Sequence, residues 1–435
     1  MKNKHLIVLS VDALVYEDLE YARTLPNFKK LLEGGSLIKR VKTIYPSLTH
    51  PVHATILTGA PAGKTGIVRN ERFCPGKVAP WYNLLGEIQC ETILHAAKAA
   101  GLTTAVSTWP VTAKGEEVVD YLIPGILNEY SDGREHEILE VYREYGARES
   151  VIDIVKDGIE RFGSKDVHPE YDSFQVYCAS RIIERFKPNM IFVHPSHVDS
   201  ARHKTGVFSE EVKHAVEIAD EYIGELLAAV YRAGISDTCD FILLSDHGQL
   251  DIDRCVLPNL LLKDAGYIKV DKNGDIESWN AYTCAGGLSA HVYLSRPEDK
   301  QLYNNVYSLL SKCAKSGEYG FERVFTTEEV RDLYGLDGEF SFVLETDGHT
   351  AFHEGLMPPY VRDTNNGDYR ISKATHGHLP EKGPQPTFIA CGPSFKPGVV
   401  IEEGSILDHA PTFARVFGLS LPDAEGTFVK EIFKD

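Results

Sequence analysis

Asp12, Asp199, His203, Asp246, His247 and His376 are scattered over almost the whole of a 435-residue chain, in short patterns that make sense if they converge on one point. Asp12 closes the apolar run HLIVLSVDAL, and Asp199 and His203 stand four apart in HVDSARH. Asp246 and His247 end FILLSDHG, and His376 lies in THGH. Carboxylate and imidazole together suit a borderline divalent cation, zinc first and manganese as the alternative. Two such sets fit a pair of ions, which about 4 Å apart can clamp the attacking and leaving oxygens of an in-line displacement at phosphorus. A fourth pattern, YPSLTHPVHATILTG, offers Thr49 as the hydroxyl to be activated. The chain reads as a two-metal hydrolase.

Each pattern alone has a plainer explanation. Asp12 would serve as a residue closing a strand, and Asp199 with His203 as an i, i+4 pair on one helix face. Asp246-His247-Gly248 is stronger, because two adjacent ionisable groups at a buried strand end are costly without a compensating cation or hydrogen bonds. Thr43, Ser47 and Thr55 compete with Thr49, and any of these hydroxyls can cap a helix. A helix N-terminus beside Thr49 would also supply N–H groups to a phosphoryl ligand, which favours Thr49. His50, His53, His194 and His197 read as packing or supporting groups.

The elements that must position these residues alternate. HLIVLSVD, TTAVSTWP, MIFVHPS, DFILLSDHG and PTFIACGP are short apolar runs and read as buried parallel strands. Helical patterns lie between them: CETILHAAKAAG, with Gly101 at its end, and SEEVKHAVEIADEYIGELLAAVYRAG, from an N-capping Ser209 to Gly234. This implies an α/β fold with a doubly wound, mostly parallel sheet flanked by helices, where ligands gather at the carboxyl ends of the strands. Residues 255–370 shift to shorter strand-like pieces around the Asn273-Gly274 turn and read as an inserted small α+β cap. Residues 1–254 and 371–435 form the catalytic core in this reading. The stretch from about 110 to 190 is expected to lie over the site.

Composition narrows the partners. A formal net charge of -18 argues against a nucleic-acid polymer or an anionic membrane surface. No run of about 18 apolar residues offers a membrane span, and the N-terminal stretch lacks the pattern of a removable export segment. The eight cysteines never form a Cys-x-x-Cys pair, so reduced thiols and a cytoplasmic location are expected. Trp81, Tyr82, Trp109, Tyr121 and Tyr130 are candidates to stack a nucleobase, although aromatic residues in such loops more often pack locally.

Together these residues carry a resemblance over nearly the full chain. Asp12, PSLTHPVHATILTG, GIVRN, HVDSARHKTG, SDHG and the late HGH resemble the alkaline phosphatase superfamily, and within it the nucleotide pyrophosphatase/phosphodiesterase group. The resemblance implies an alkaline phosphatase-like core, one metal on Asp199, His203 and His376, and another on Asp12, Asp246 and His247. It makes Thr49 the nucleophile of a phosphothreonine intermediate and Asn70 a donor to the transition state. A small phosphodiester or nucleotide is the implied substrate. The chain departs from the family in its longer, Tyr-poor run after Asn70 and in His378, where an aromatic residue often stands. Superfamily monoesterases resemble a different pattern, with serine and a phosphate-binding arginine, and Arg69 and Arg72 lie close to Asn70. Phosphonoacetate-type carbon–phosphorus hydrolysis would need lysines for a carboxylate, with Lys64 and Lys77 nearest. The intact ligand set argues against a metal-binding scaffold without turnover.

Overall fold

The computed structural model describes residues 3–126, 137–164, 167–364 and 369–435, so Tyr130 lies outside them. Its central sheet has eight strands: β1 (His5–Ser10), β2 (Gly35–Lys42), β3 (Thr104–Ser107), β4 (Tyr121–Ile123), β5 (Met190–Val193), β6 (Cys239–Leu244), β7 (Phe388–Cys391) and β8 (Val400–Ser405). Their order is β8-β2-β7-β6-β1-β5-β3-β4. Strand β1 pairs in parallel with both β5 and β6 at the centre. Seven strands share one direction, and β7 runs against both of its neighbours. PTFIACGP is therefore an antiparallel strand, not the parallel one expected. An apolar run buried on both faces looks the same in either direction, and only the route of the preceding chain decides.

Alternate residues of the central strands feed two cores. Leu6, Val8, Phe192, Ile242 and Leu244 face one cluster, and Ile7, Leu9, Ile191, Phe241 and Leu243 the other. Burying a side chain of this size is worth about 1.5–3 kcal/mol, so strands with no exposed face must be apolar throughout. Helices Thr49–Thr58 and His409–Phe417 cover the first face, and Pro26–Gly34, Glu149–Phe162, Glu170–Phe186 and Glu210–Ala233 the second. The stretch expected over the site thus belongs mainly to the helical layer, and among its described residues Pro110, Gly125, His168, Tyr171 and Gln175 reach the cleft described below. Helix Glu210–Ala233 starts where Ser209 Oγ accepts the Val212 N–H at 3.1 Å and ends at Gly234, φ 69°.

Between β6 and β7 the chain builds a smaller antiparallel sheet, Ala281–Gly286, Ser289–Leu294, Phe342–Thr346 and Phe321–Thr326 in spatial order. Helices Lys300–Ser316 and Thr327–Tyr334 pack with it. Leu250–Asp251 pairs antiparallel with Ala374–Thr375, which returns the His376 segment to the end of the main sheet. None of the eight cysteines is in a disulfide bond, and six of them are buried. No helix among the described residues is long and apolar enough to cross a membrane.

Ser209→Ala removes the cap and an exposed hydrogen bond to the Thr205 hydroxyl. It is expected to lower stability by about 1 kcal/mol in denaturant titration, with activity unchanged.

Candidate metal centre and active site

Parallel pairing brings the site together. Ser10 and Leu244 are in register, so β1 and β6 finish side by side, and Asp12 and Asp246-His247 leave from the same edge. Val11 N–H donates to the Leu244 carbonyl at 2.9 Å and Asp12 N–H to the Pro195 carbonyl at 3.0 Å, which holds Asp12 between the exits of β5 and β6. Asp199 and His203 project from helix His197–Thr205 one turn apart. His376 follows the short strand Ala374–Thr375.

The six residues fall into two groups, Asp199 with His203 and His376, and Asp12 with Asp246 and His247, each presenting atoms within 4.8 Å of one another. His203 Nε2 lies 3.2 Å and His376 Nε2 3.9 Å from the Asp199 carboxylate. His247 Nε2 lies 3.2 Å from Asp246 Oδ2 and 3.6 Å from Asp12 Oδ1. The His247 and His376 rings stack at 4.1 Å and join the two groups. The Ala374 carbonyl lies 2.8 Å from His203 Nδ1 and the Ser47 carbonyl 3.2 Å from His376 Nδ1. Both Nδ1 atoms then carry the proton, leaving the Nε2 lone pairs for a cation.

Electrostatics identify what fits there. Burial, and next the charge of Asp246, hold the Asp12 carboxyl well above the usual carboxylate range. Burial likewise pushes Asp246 up to about 6 and His247 down to about 3. Burial also keeps His376 neutral. For Asp199 burial opposes ionisation, yet the nearby His203 and His376 hold its carboxyl below the usual range. Among the described residues Asp12 Oδ1 and Asp246 Oδ2 are buried with no hydrogen-bond partner, and the ion-pair distances to Asp12, Asp199 and Asp246 are all to histidines. Unpaired carboxylate oxygens facing imidazole lone pairs are a donor set for divalent cations, and each triad leaves coordination open for a further ligand.

Thr49 opens helix Thr49–Thr58, and its Oγ1 lies 3.2 Å from His247 Nε2. The rival hydroxyls are engaged elsewhere: Thr43 donates to the Asp246 carbonyl at 2.7 Å, Ser47 to the His378 carbonyl at 2.9 Å, and Thr55 to the Ala60 carbonyl at 2.8 Å. Asn70 Oδ1 accepts the His50 N–H at 2.9 Å. That bond fixes the amide orientation and leaves the Asn70 NH₂ to donate. No backbone carbonyl takes the Thr49 N–H, and Pro51 has none, so the helix terminus offers one donor beside the hydroxyl. His194 Nε2 lies 3.3 Å from Asp12 and His53 Nδ1 3.6 Å from Asp246, so these two support the carboxylates. His50 packs edge-on against Trp81, and the His197 N–H donates to Asp172 at 3.1 Å.

A cleft of about 470 Å³ contains Asp12, Thr49, Asn70, Asp199, His203 and His376 in its wall. Among the aromatic candidates only Trp81 lines it. Trp109 is fully buried against His53 and Phe192, and Tyr121 stacks on Phe186 at 4.1 Å. The segment between β6 and β7 also forms part of the wall, through Cys284–Gly287 and Phe352–Glu354, which no sequence motif singles out. Gly377 holds φ 97° with its ideal Cβ position 2.0 Å from the Gly286 carbonyl oxygen, and that of Gly287, φ 68°, lies 2.2 Å from the His376 carbonyl oxygen. The two glycine turns touch backbone to backbone, and Leu288 N–H donates to the His376 carbonyl at 2.8 Å. A side chain at either position would displace His376.

A three-layered α/β fold with two Asp/His triads and a threonine at the strand ends defines the class, a metal-binding site of two-centre type. The model of the Type I phosphodiesterase / nucleotide pyrophosphatase family matches residues 6–367, and the chain belongs to that family. It is 24% identical over 412 residues to rat ectonucleotide pyrophosphatase/phosphodiesterase family member 3, a match covering 91% of this chain and 40% of that protein. An uncharacterised pyrophosphatase/phosphodiesterase of Schizosaccharomyces pombe is 28% identical over 251 residues, 56% of this chain and 44% of that one. The chain thus spans less than half the length of these relatives. Human ectonucleotide pyrophosphatase/phosphodiesterase 5 superposes with a TM-score of 0.66 at 18% identity, covering 99% of this chain and all of that one. An inactive variant of the murine counterpart, in complex with AMP, gives 0.64 at 18% identity with the same coverage. At such identity these structures speak for the fold.

Elemental analysis of the purified protein is expected to find two divalent ions per chain, one for each triad, lost with activity on chelation. His203→Ala should cost more than the roughly 10–100-fold typical of a residue that merely supports a ligand; near-normal turnover would remove it from the metal. Gly377→Ala should lower stability by at least about 2 kcal/mol and empty the Asp199 triad, since it adds both backbone strain and a clash. Thermal unfolding and metal content read both effects.

Proposed function

We propose that the chain is a metal-dependent phosphodiesterase or nucleotide pyrophosphatase that works through a phosphothreonine. The placement of Thr49 carries this reading: its hydroxyl faces His247 of one triad at 3.2 Å, at a helix N-terminus, and it shares a cleft with the other triad. Zinc fits the nitrogen and oxygen donors best, with manganese as the alternative. Asp199, His203 and His376 would hold one ion, and Asp12, Asp246 and His247 the other. Bound there, the ions would supply Lewis acidity that lowers the hydroxyl pKa and offsets charge on the phosphoryl oxygens.

Thr49 Oγ1 attacks phosphorus, an Oγ1–P bond forms, and the bond to the leaving group breaks, the hydroxyl proton ending on the departing alcohol or phosphate oxygen. Water then attacks the phosphothreonine from the vacated side, and one of its protons passes to Thr49 Oγ1 as the Oγ1–P bond breaks. The Thr49 N–H and the Asn70 NH₂ donate to a non-bridging oxygen, where charge grows during each step. The helix dipole adds to this attraction. Nucleotides are the substrates proposed, supported by family membership, by AMP in the murine neighbour and by Trp81 in the cleft wall.

Thr49→Ala should keep metal content and fold while abolishing the phosphoenzyme and lowering turnover of bis-p-nitrophenyl phosphate by several orders of magnitude, with Thr49→Ser partly active. Asn70→Ala should cost about 10²–10³-fold in kcat if it acts as an oxyanion donor. Full activity of Thr49→Ala would overturn the mechanism.

A further inference from the structure

Arg69 is the buried charge of the cleft that neither triad nor nucleophile uses. It precedes Asn70, is 4% exposed, and lines the same cavity as Thr49. Its Nη2 donates to the Ala285 carbonyl at 3.2 Å and lies 3.9 Å from Glu354 Oε1. Nε and Nη1 have no hydrogen-bond partner among the described residues. Glu354 is committed elsewhere, since Oε2 accepts from the Tyr282 hydroxyl at 2.9 Å and Oε1 from Ala285 N–H at 3.0 Å. The nearest carboxylate therefore does not close around the guanidinium as a two-pronged acceptor. Leaving charged donors buried and unmatched costs more than leaving neutral ones, so the site asks for an acceptor from outside.

The surrounding charge agrees. In a chain of net charge -18, the cleft wall gathers Arg69, Arg72, Lys77 and Arg370 against Glu71 and Glu354. Arg72 pairs with Glu87 at 2.7 Å and Arg370 with Glu71 at 3.5 Å, and of these four cations Arg69 alone is buried. Its planar fork matches two oxygens of a carboxylate or a phosphate. The Ala285 and Glu354 contacts put it on the side of the inserted domain, across the seam from the nucleophile helix.

We propose that Arg69 forms an anion subsite on this side of the cleft, which takes a carboxylate or second phosphate of a substrate whose scissile phosphoryl group reaches Thr49. The proposal rests on the phosphoryl-transfer reading above and deepens it: the preferred substrates are small molecules with two separated anionic groups.

Calorimetric binding to zinc-loaded Thr49→Ala protein, which does not consume ligand, tests this with methyl phosphate, 2-phosphoglycolate and methyl diphosphate. With Arg69 present, at least one of the latter two should bind about 10-fold or more tighter than methyl phosphate, and which one does so separates a carboxylate from a phosphate. Arg69→Ala and Arg69→Gln, each with zinc content unchanged, should reduce that preference to within about 3-fold. Gln keeps a donor for the Ala285 carbonyl and serves if Ala disturbs the fold. Absence of any preference with Arg69 in place overturns the proposal whether or not the variants fold. A preference that survives the substitutions, or an equal weakening for all three ligands, also overturns it, the latter assigning Arg69 to holding the two domains together. Failure of the catalytic reading shows separately, as wild-type protein that does not hydrolyse bis-p-nitrophenyl phosphate.

Discussion

Three aspartates packed together at the ends of the central strands are the constraint on which the rest of this molecule depends. Burial and the charges of Asp246 and Asp199 raise the cost of ionising Asp12, burial and Asp199 that of Asp246, and the imidazoles between them are too deeply buried to carry compensating protons, His203 beside Asp199 excepted. A pocket of this kind persists only if the backbone over-determines it and a cation stabilises it. The over-determination is visible: Asp12 is pinned by main-chain bonds to two neighbouring strand exits, Asp246 Oδ1 accepts the Ala13 N–H at 3.1 Å, and the Asp246 carbonyl accepts the Thr43 hydroxyl. The parallel register of β1 with β6 is what sets the spacing of those anchors.

Much of this was legible because the cost is local. A strand that is apolar on both faces and ends in Asp or Asp-His leaves few interpretations, and β1, β5 and β6 lie within the runs that show it. Ser209 and Gly234 bound their helix because capping chemistry depends on neighbours in sequence. Long-range geometry did not show. The direction of β7 is set by a chain returning from the segment between β6 and β7, and β2, GSLIKRVK, is paired on both sides yet carries charges at Lys39, Arg40 and Lys42 that mask its apolar positions. Trp109 and Tyr121 were readable as aromatic residues in loops, but whether such a ring meets solvent or Phe192 is decided by tertiary packing alone. The hydroxyls at Thr43, Ser47, Thr49 and Thr55 were distinguishable only once their acceptors were known.

The inserted sheet enters the chemistry more closely than a specificity element laid over a finished site would. Its Gly286-Gly287 turn fills the space against which His376-Gly377 is moulded. Its Glu345, fully buried and pushed up to about 7 by that burial, lies 2.9 Å from Lys382 and accepts the Tyr45 hydroxyl at 3.0 Å and the Leu379 N–H at 3.2 Å. Those partners flank the His376 loop and the segment leading to Thr49. One buried carboxylate thus ties the insertion to both the ligand-bearing loop and the approach to the nucleophile, and breaking it would leave an unpaired charge at the seam.

This arrangement bears on how relatives can share triads and differ in substrate. The core residues that would hold metal and attack phosphorus are fixed by strand ends, which tolerate little change. The opposite wall comes from short turns, Cys284–Gly287 and Phe352–Glu354, and from the run after Asn70, where a substitution alters a cleft surface without moving a strand. Gly286 and Gly287 are the exception, since their backbone contact with His376 couples that wall to the metal. Variation in substrate preference is therefore expected to concentrate around these two glycines and not at them, and Arg69, Trp81 and Glu354 occupy that permissive ring.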